Sequence, residues 1–297
     1  MFEKRFSVGL NLSEDMERLS KFFEHYKKYL NSVYFSLPLG ARFYSRVQLE
    51  SEYSGAEQKL NEVANLLQQL GIRREITINT YHLTEDDLKA AKEYCDVNGF
   101  EPEEIVCLEK YGVRLRELFP GSELKYSFNN RQKKPSEMPQ YFDTIVVGKE
   151  YLRNAQMRAD LVNLGYGVTL LLNNGCSYYC KDICDDIKCE KMFGEMFKMH
   201  SLEYWYALLS FFPNELKQII DTDQNASVYK FKISNRPLGI NYTRKVLDAY
   251  LSLESPIKQI EKDWKNYGLF CAVSQMARHF HELNLEEVME EKSKLGV

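Results

Sequence analysis

The sequence predicts an α/β protein, a (β/α)8 TIM-like barrel with a cysteine-rich, partly helical insertion after strand seven. Three observations carry that expectation. Eight short apolar runs are spread along 297 residues, and amphipathic stretches of helical spacing separate most of them. Most runs stop at Asn, Ser, Gly or Pro, the residues that end strands. Parallel strands joined by helical crossovers need such apolar runs, and a chain of this length suits one closed barrel. A doubly wound open sheet is the alternative.

The first run, Phe6 to Leu10, ends at Asn11. Ser13 is the expected N-cap of a helix whose apolar residues Leu19, Phe22, Phe23, Tyr26 and Leu30 share one face. Asn31-Ser32 breaks that helix, and Val33 to Leu37 is the second strand, stopped by Pro38. Ala56 to Leu70 is an amphipathic helix closed by Gly71. Strands at 75–79, 104–108 and 124–128 follow, separated by helices at 84–98 and 113–119. A polar linker with Pro135 and Pro139 leads to Thr144 to Gly148, and a helix from Asn154 to Leu164 leads to Val168 to Leu172. The last strand is Val228 to Ile233, followed by a helix from Tyr242 to Leu253. One domain is expected over residues 1–297. It carries an insertion over about 176–226, which includes the aromatic stretch Leu202 to Phe212, and a helical extension over about 254–297.

Hydrophobic residues make up 44% of the chain and charged residues 28%, values that suit an ordinary globular core. A net charge of -4 argues against a protein that holds nucleic acid mainly by its charge. No apolar run is long enough for a signal peptide or a membrane span, so the expected location is the cytoplasm. There, clustered cysteines read as ligands or redox groups rather than disulfides.

Working residues of such barrels stand at the C-terminal ends of strands. That rule selects Asn11, Asn79, Glu109, Ser127, Asn129, Lys149, Asn173, Asn174, Lys232, Ser234 and Arg236. Amides at Asn79 and Asn173 can read carbonyls and hydroxyls without charge, although Asn also ends strands through local Asx turns. Lys232 and Arg236, with Asn129 and Lys149 beside them, are expected to bind substrate and to hold a carboxylate or phosphate. Glu109 and Lys149 are candidates for a general acid–base pair or an ion pair, with Glu109 the candidate catalytic group.

The seventh strand runs into Cys176, Cys180, Cys184 and Cys189, four of the chain's seven cysteines. Soft thiolates brought together this densely suit an iron–sulfur cluster or zinc. A radical-SAM loop would read C-x3-C-x2-C after the first strand; here one residue too many precedes Cys184, and the loop follows the seventh. Zinc as two close pairs, Cys176/Cys180 with Cys184/Cys189, is the alternative. For a cluster, Cys176 and Cys180 need a third thiol from Cys184 or Cys189, with Cys271 an alternative fourth ligand. His279 and His281 lie two apart and cannot face one ligand together from a helix.

The stretch Leu170-Leu171-Leu172-Asn173-Asn174-Gly175-Cys176, with Cys180, resembles the seventh-strand loop of the peptidase U32 superfamily, closest to its shorter members. Tyr229 to Pro237, with Lys232 and Arg236, is similar to that family's eighth strand. Glu104 to Asn129 is similar to its unit of strand, short helix, Phe-Pro and strand. The likeness covers about Phe6 to Leu253. It departs where the family's common Pro after the second Cys is Lys181 here. The downstream Arg and His of the shorter members, and the His-Gly before the first Cys of the longer ones, are also missing. The resemblance implies a barrel carrying a cysteine-bound [4Fe-4S] cluster, held here by Cys176 and Cys180. It also implies activities such as oxygen-independent hydroxylation of RNA bases or quinone precursors, or proteolysis. The resulting expectation is a redox modification of a small or nucleoside-like substrate. Two alternatives stand beside it: a zinc-stabilised barrel hydrolase, and a non-catalytic subunit that presents Tyr204-Trp205-Tyr206 to a protein partner.

Overall fold

A computed structural model describes residues 2–43, 55–127, 133–148, 152, 154–172, 213–234 and 239–253. Eight parallel strands close into a barrel in sequence order: β1 (Phe6–Gly9), β2 (Leu30–Phe35), β3 (Arg73–Ile78), β4 (Glu104–Cys107), β5 (Glu123–Tyr126), β6 (Thr144–Val147), β7 (Gly167–Leu171) and β8 (Lys230–Ile233). Closure is made by β8 against β1, where Phe231 pairs with Phe6 and Ile233 with Val8. The described helices are α1 (Met16–Tyr26), α2 (Glu57–Gln69), α3 (Glu85–Val97), α4 (Glu109–Leu118), α5 (Ala155–Asn163), α6 (Pro213–Thr222) and α7 (Gly239–Ser252). The fold is a (β/α)8 barrel. No described helix is long and apolar enough to cross a membrane.

Alternation along each strand sorts side chains into two cores. Outward residues such as Phe6, Val8, Val33, Phe35, Ile76, Ile105, Leu124, Leu170 and Phe231 meet the apolar faces of the helices. Inward residues Val106, Val146 and Leu171 form a separate small apolar group inside the barrel. Helix ends follow their local chemistry. Gly71 adopts φ 62° just past α2, which lets Ile72 N–H reach Leu67 O at 2.9 Å and Gly71 N–H reach Gln68 O at 3.1 Å. Gly165 closes α5 the same way.

Several expected boundaries move. Helix α1 stops at Tyr26, and β2 already begins at Leu30, because Leu30 and Ser32 pair with Phe6 and Ser7 across a register irregularity. Asp15, not Ser13, caps α1 and accepts from Arg18 N–H at 2.8 Å. Helix α4 starts at Glu109 rather than Val113, so Glu109 lies in its first turn instead of a free loop. Most of the expected insertion lies outside the described residues. Its end comprises α6 and a 3-10 turn, Ala226–Val228, which leads into β8.

Candidate functional site

Charged residues occupy the inward positions of β3, β4, β5 and β8: Arg73, Glu75, Glu104, Glu123, Lys125, Lys230 and Lys232. At the centre, Lys125 is fully buried. Its ammonium donates to Glu75 at 2.8 Å and also to Glu104. Glu104 further accepts from Arg73 at 2.7 Å, Lys230 at 3.3 Å and the Asn31 amide at 2.8 Å. Arg73 and Lys230 share Glu123, at 2.8 Å and 3.3 Å. Glu75 holds Lys232 through its other oxygen at 2.5 Å and accepts from Ser32 at 3.4 Å, while Ser32 is linked to Ser7 at 2.7 Å.

Burial alone would push the Glu104 carboxyl up, but Lys125, Lys230 and Arg73 together hold it well below the usual carboxylate range. Burial opposes the Lys125 charge too, yet Glu104, Glu75 and Glu123 outweigh it and raise that amine above its ordinary value. Lys232 goes the other way. Burial lowers it, and Glu75, which it shares with Lys125, does not fully compensate.

The network is graded along the barrel axis. Arg73 and Lys230 are partly exposed at the N-terminal end, whereas Glu75, Glu104 and Lys125 are sealed. Above the sealed layer, towards the C-terminal mouth, the inward residues regain slight exposure, and they differ by side. On one side stand Val106, Val146 and Leu171; on the other stand Lys232, Tyr34 and Thr77. The Lys232 ammonium lies 4.0 Å from the centre of the Tyr34 ring, a cation–π contact, and the Tyr34 hydroxyl donates to Ile233 O at 2.9 Å. Thr77 donates to Phe35 O at 3.2 Å and meets Ser36 at 3.2 Å. The floor of the mouth is therefore half apolar and half polar.

The expected site residues fall out unevenly over this frame. Lys232 does not project from the rim. Its place in β8 turns it into the barrel, and its charge is engaged by Glu75 and Tyr34. Asn79 is half-buried at the end of β3 and has no hydrogen-bond partner among the described residues. Asn11 accepts from the backbone N–H and hydroxyl of Ser13 at 2.9 and 2.5 Å, the Asx-turn role. Ser127 is buried and donates its N–H to Cys107 O at 2.9 Å. Glu109 is turned to Lys133 at 2.6 Å and to the hydroxyl of Tyr126, an outward residue of β5, so its described cationic partner is Lys133. Asn129, Lys149, Asn173, Asn174 and Arg236 lie outside the described residues, as do Cys176, Cys180, Cys184, Cys189 and Cys271. The reading from sequence missed Glu75, Glu104, Lys125 and Tyr34. Their signal was charge at every second position of otherwise apolar strands, as in Arg73-x-Glu75 and Glu123-x-Lys125, a pattern that a strand with one solvated face shares.

No family model matches the chain, and no curated protein matches it. Among solved structures, the chain is similar to a protein from Aquifex aeolicus VF5 at 11% identity and a TM-score of 0.46, over 92% of this chain and 94% of that one. It is also similar to a structure of the tryptophan synthase complex from Pyrococcus furiosus at 11% identity and a TM-score of 0.37, over 88% of this chain and 98% of that one.

Proposed function

We propose that the protein is a redox enzyme of the kind the peptidase U32 resemblance implies, working at the C-terminal mouth of its barrel on a small or nucleoside-like substrate. One observation carries this reading: Leu172, the residue that follows β7, donates its N–H to the carbonyl of Lys232 at 3.0 Å. The chain thus enters its cysteine-rich stretch directly beside the Lys232–Glu75 pair. Cys176 follows four residues on, a tether of at most about 14 Å.

The donor chemistry fits a cluster. The described thiols are unsuited to ligation: Cys95 and Cys107 are buried, and burial pushes Cys95 up to about 12 and Cys107 higher still. Among the described residues no group of three or more His, Cys, Asp or Glu stands ready to hold a metal. The candidate ligands are Cys176 and Cys180, as the resemblance implies, with Cys184 or Cys189, and Cys271 as an alternative fourth. A cluster bound there supplies electrons one at a time. The barrel's own residues do the rest. Lys232 and Glu75 hold a proton at the floor of the mouth, and the free amide of Asn79 reads a carbonyl or hydroxyl. Val106, Val146 and Leu171 seat the substrate's apolar part and exclude water. Arg236 is the candidate anchor for an anionic group.

Anaerobic purification followed by a visible spectrum and iron, sulfide and zinc analysis tests the proposal, alongside the Cys176→Ala/Cys180→Ala protein. The expected result is a brown protein with about four irons per chain, lost in the variant. Zinc without iron would replace it with a zinc-stabilised hydrolase. A metal-free protein under strict anaerobiosis would overturn it.

A further inference from the structure

Among the described residues, the charged groups inside the barrel are unequal in number. Four cations (Arg73, Lys125, Lys230 and Lys232) face three carboxylates (Glu75, Glu104 and Glu123). Glu104 draws three of these cations, and on Glu75 the ammoniums of Lys125 and Lys232 meet on a single carboxylate. Lys125 has a second acid in Glu104, whereas the described contacts of the Lys232 ammonium are Glu75 and the face of Tyr34. Lys232 is also the member nearest the mouth. The next inward position of β1 above its partner Ser7 is Gly9, which brings no side chain and is only half-buried.

From this arrangement we propose that Lys232 is a nucleophilic amine that forms an imine with the carbonyl carbon of a small ketone or aldehyde bound in the mouth. A lysine becomes nucleophilic when it is desolvated or set beside another cation, and Lys232 meets both conditions. Glu75 first takes one proton from the Lys232 ammonium; the uncharged amine adds to the carbonyl carbon, and Glu75 passes that proton to the carbonyl oxygen, so that loss of a second proton from nitrogen gives a carbinolamine. Glu75, in contact with the nitrogen, receives the proton that the nitrogen sheds and returns it to the departing hydroxyl. One water leaves as the carbon–nitrogen double bond forms, with no change of oxidation state. The two-sided floor gives the substrate class. The carbonyl faces Lys232 and Tyr34, and an apolar body rests on Val106, Val146 and Leu171. Burial lowers the Lys232 amine, in the direction this chemistry needs. The charged or titratable groups around it are Glu75 on β3, Glu104 on β4, Lys125 on β5 and Tyr34 on β2; its strand neighbours on β1 and β7, Ser7 and Leu171, carry none. This inference goes beyond the redox reading and rests on none of the cysteines.

The test uses 2,4-pentanedione, whose imine with an uncharged amine rearranges to a stable enaminone seen in the near ultraviolet. Full-length protein and the Cys176→Ala/Cys180→Ala variant are both treated across a pH series. The adducts are located by peptide mass analysis. The expected result is about one enaminone per chain on Lys232 in both proteins, at least tenfold faster than on any other lysine. Its rate should reach half-maximum below the ordinary lysine value of about 10.4. The signal should vanish in Lys232→Met, in which Glu75 keeps Lys125 as its partner. Should that variant fail to fold, the peptide map of the unmodified chain decides by itself. Adducts scattered over surface lysines, or a midpoint at the ordinary value, would overturn the proposal. An enaminone on Lys232 in a protein without iron would uphold it while refuting the cluster.

Discussion

Replacing Glu104 with Gln keeps the shape of the side chain and removes one negative charge from the sealed layer of the barrel. Glu104 is fully buried and accepts from Lys125, Arg73, Lys230 and Asn31, so the change leaves four interior cations facing two carboxylates. Breaking a buried ion pair by removing one partner costs about 3–5 kcal/mol, and the number of cations left behind places Glu104→Gln in the upper half, at about 4 kcal/mol. A chain of 297 residues unfolds with an entropy that converts each kcal/mol into about 1.6 °C. The expected fall in Tm is therefore roughly 6 °C, read by circular dichroism at neutral pH. Lys125→Met should be milder, because three cations then face three carboxylates, and Glu104 keeps Arg73 and Lys230. The double variant should be more stable than the sum of the two effects by about 1–3 kcal/mol, since each change relieves the imbalance the other creates. A Glu104→Gln melt within about 1 °C of the parent, or strictly additive effects, would refute the reasoning.

Stability should fall at both extremes of pH. Glu104 and Glu123 sit below their ordinary values in the fold, so their contribution is present above an unfolded value of about 4.3 and disappears as pH drops through the folded values. Lys125 sits above its own, so its contribution is present below about 10.4 and is lost as pH rises through the folded value. Urea midpoints across pH should show both limbs, and the acid limb should flatten in Glu104→Gln; an unchanged acid limb would count against the network. At the buried Arg158–Asp223 pair, Asp223→Ala should lower stability by about 3–5 kcal/mol in urea titration. It takes the carboxylate partner from the buried guanidinium of Arg158, which keeps Leu152 O, and removes the acceptor of the Tyr229 hydroxyl, so a loss under about 1 kcal/mol would contradict a structural role. Gly112→Ala should destabilise by about 1–3 kcal/mol, although alanine is the better helix former. The added Cβ would stand 2.3 Å from the Tyr141 ring and 3.0 Å from Phe142, and a raised Tm would mean that this packing yields freely.

The barrel was legible because its strands are short apolar runs bounded by turn residues. All eight lie within a few residues of where the sequence placed them. Boundaries slipped where a local signal met a tertiary one. Asn31-Ser32 reads as a helix break followed by a gap, but Leu30 and Ser32 are already paired to β1. Glu109 reads as a strand-end acid, yet it begins a helix and faces Lys133 and Tyr126. The interior charges were hidden for a different reason. A Glu or Lys in a short strand reads as an exposed edge, and only closure of the barrel shows that Glu75, Glu104 and Lys125 face one another. Lys232 was legible as important. Its inward direction and its two partners were not, because they come from β2 and β3, more than 150 residues away in sequence.

In the proposed function the cysteine stretch and the Lys232–Glu75 pair serve one mouth. Anomalous diffraction at the iron edge, from crystals grown anaerobically, tests it most directly. An iron peak is expected at the C-terminal mouth, on the side where β7 and β8 meet. Iron at the N-terminal face of the barrel, or an anomalous signal from zinc in its place, would contradict it.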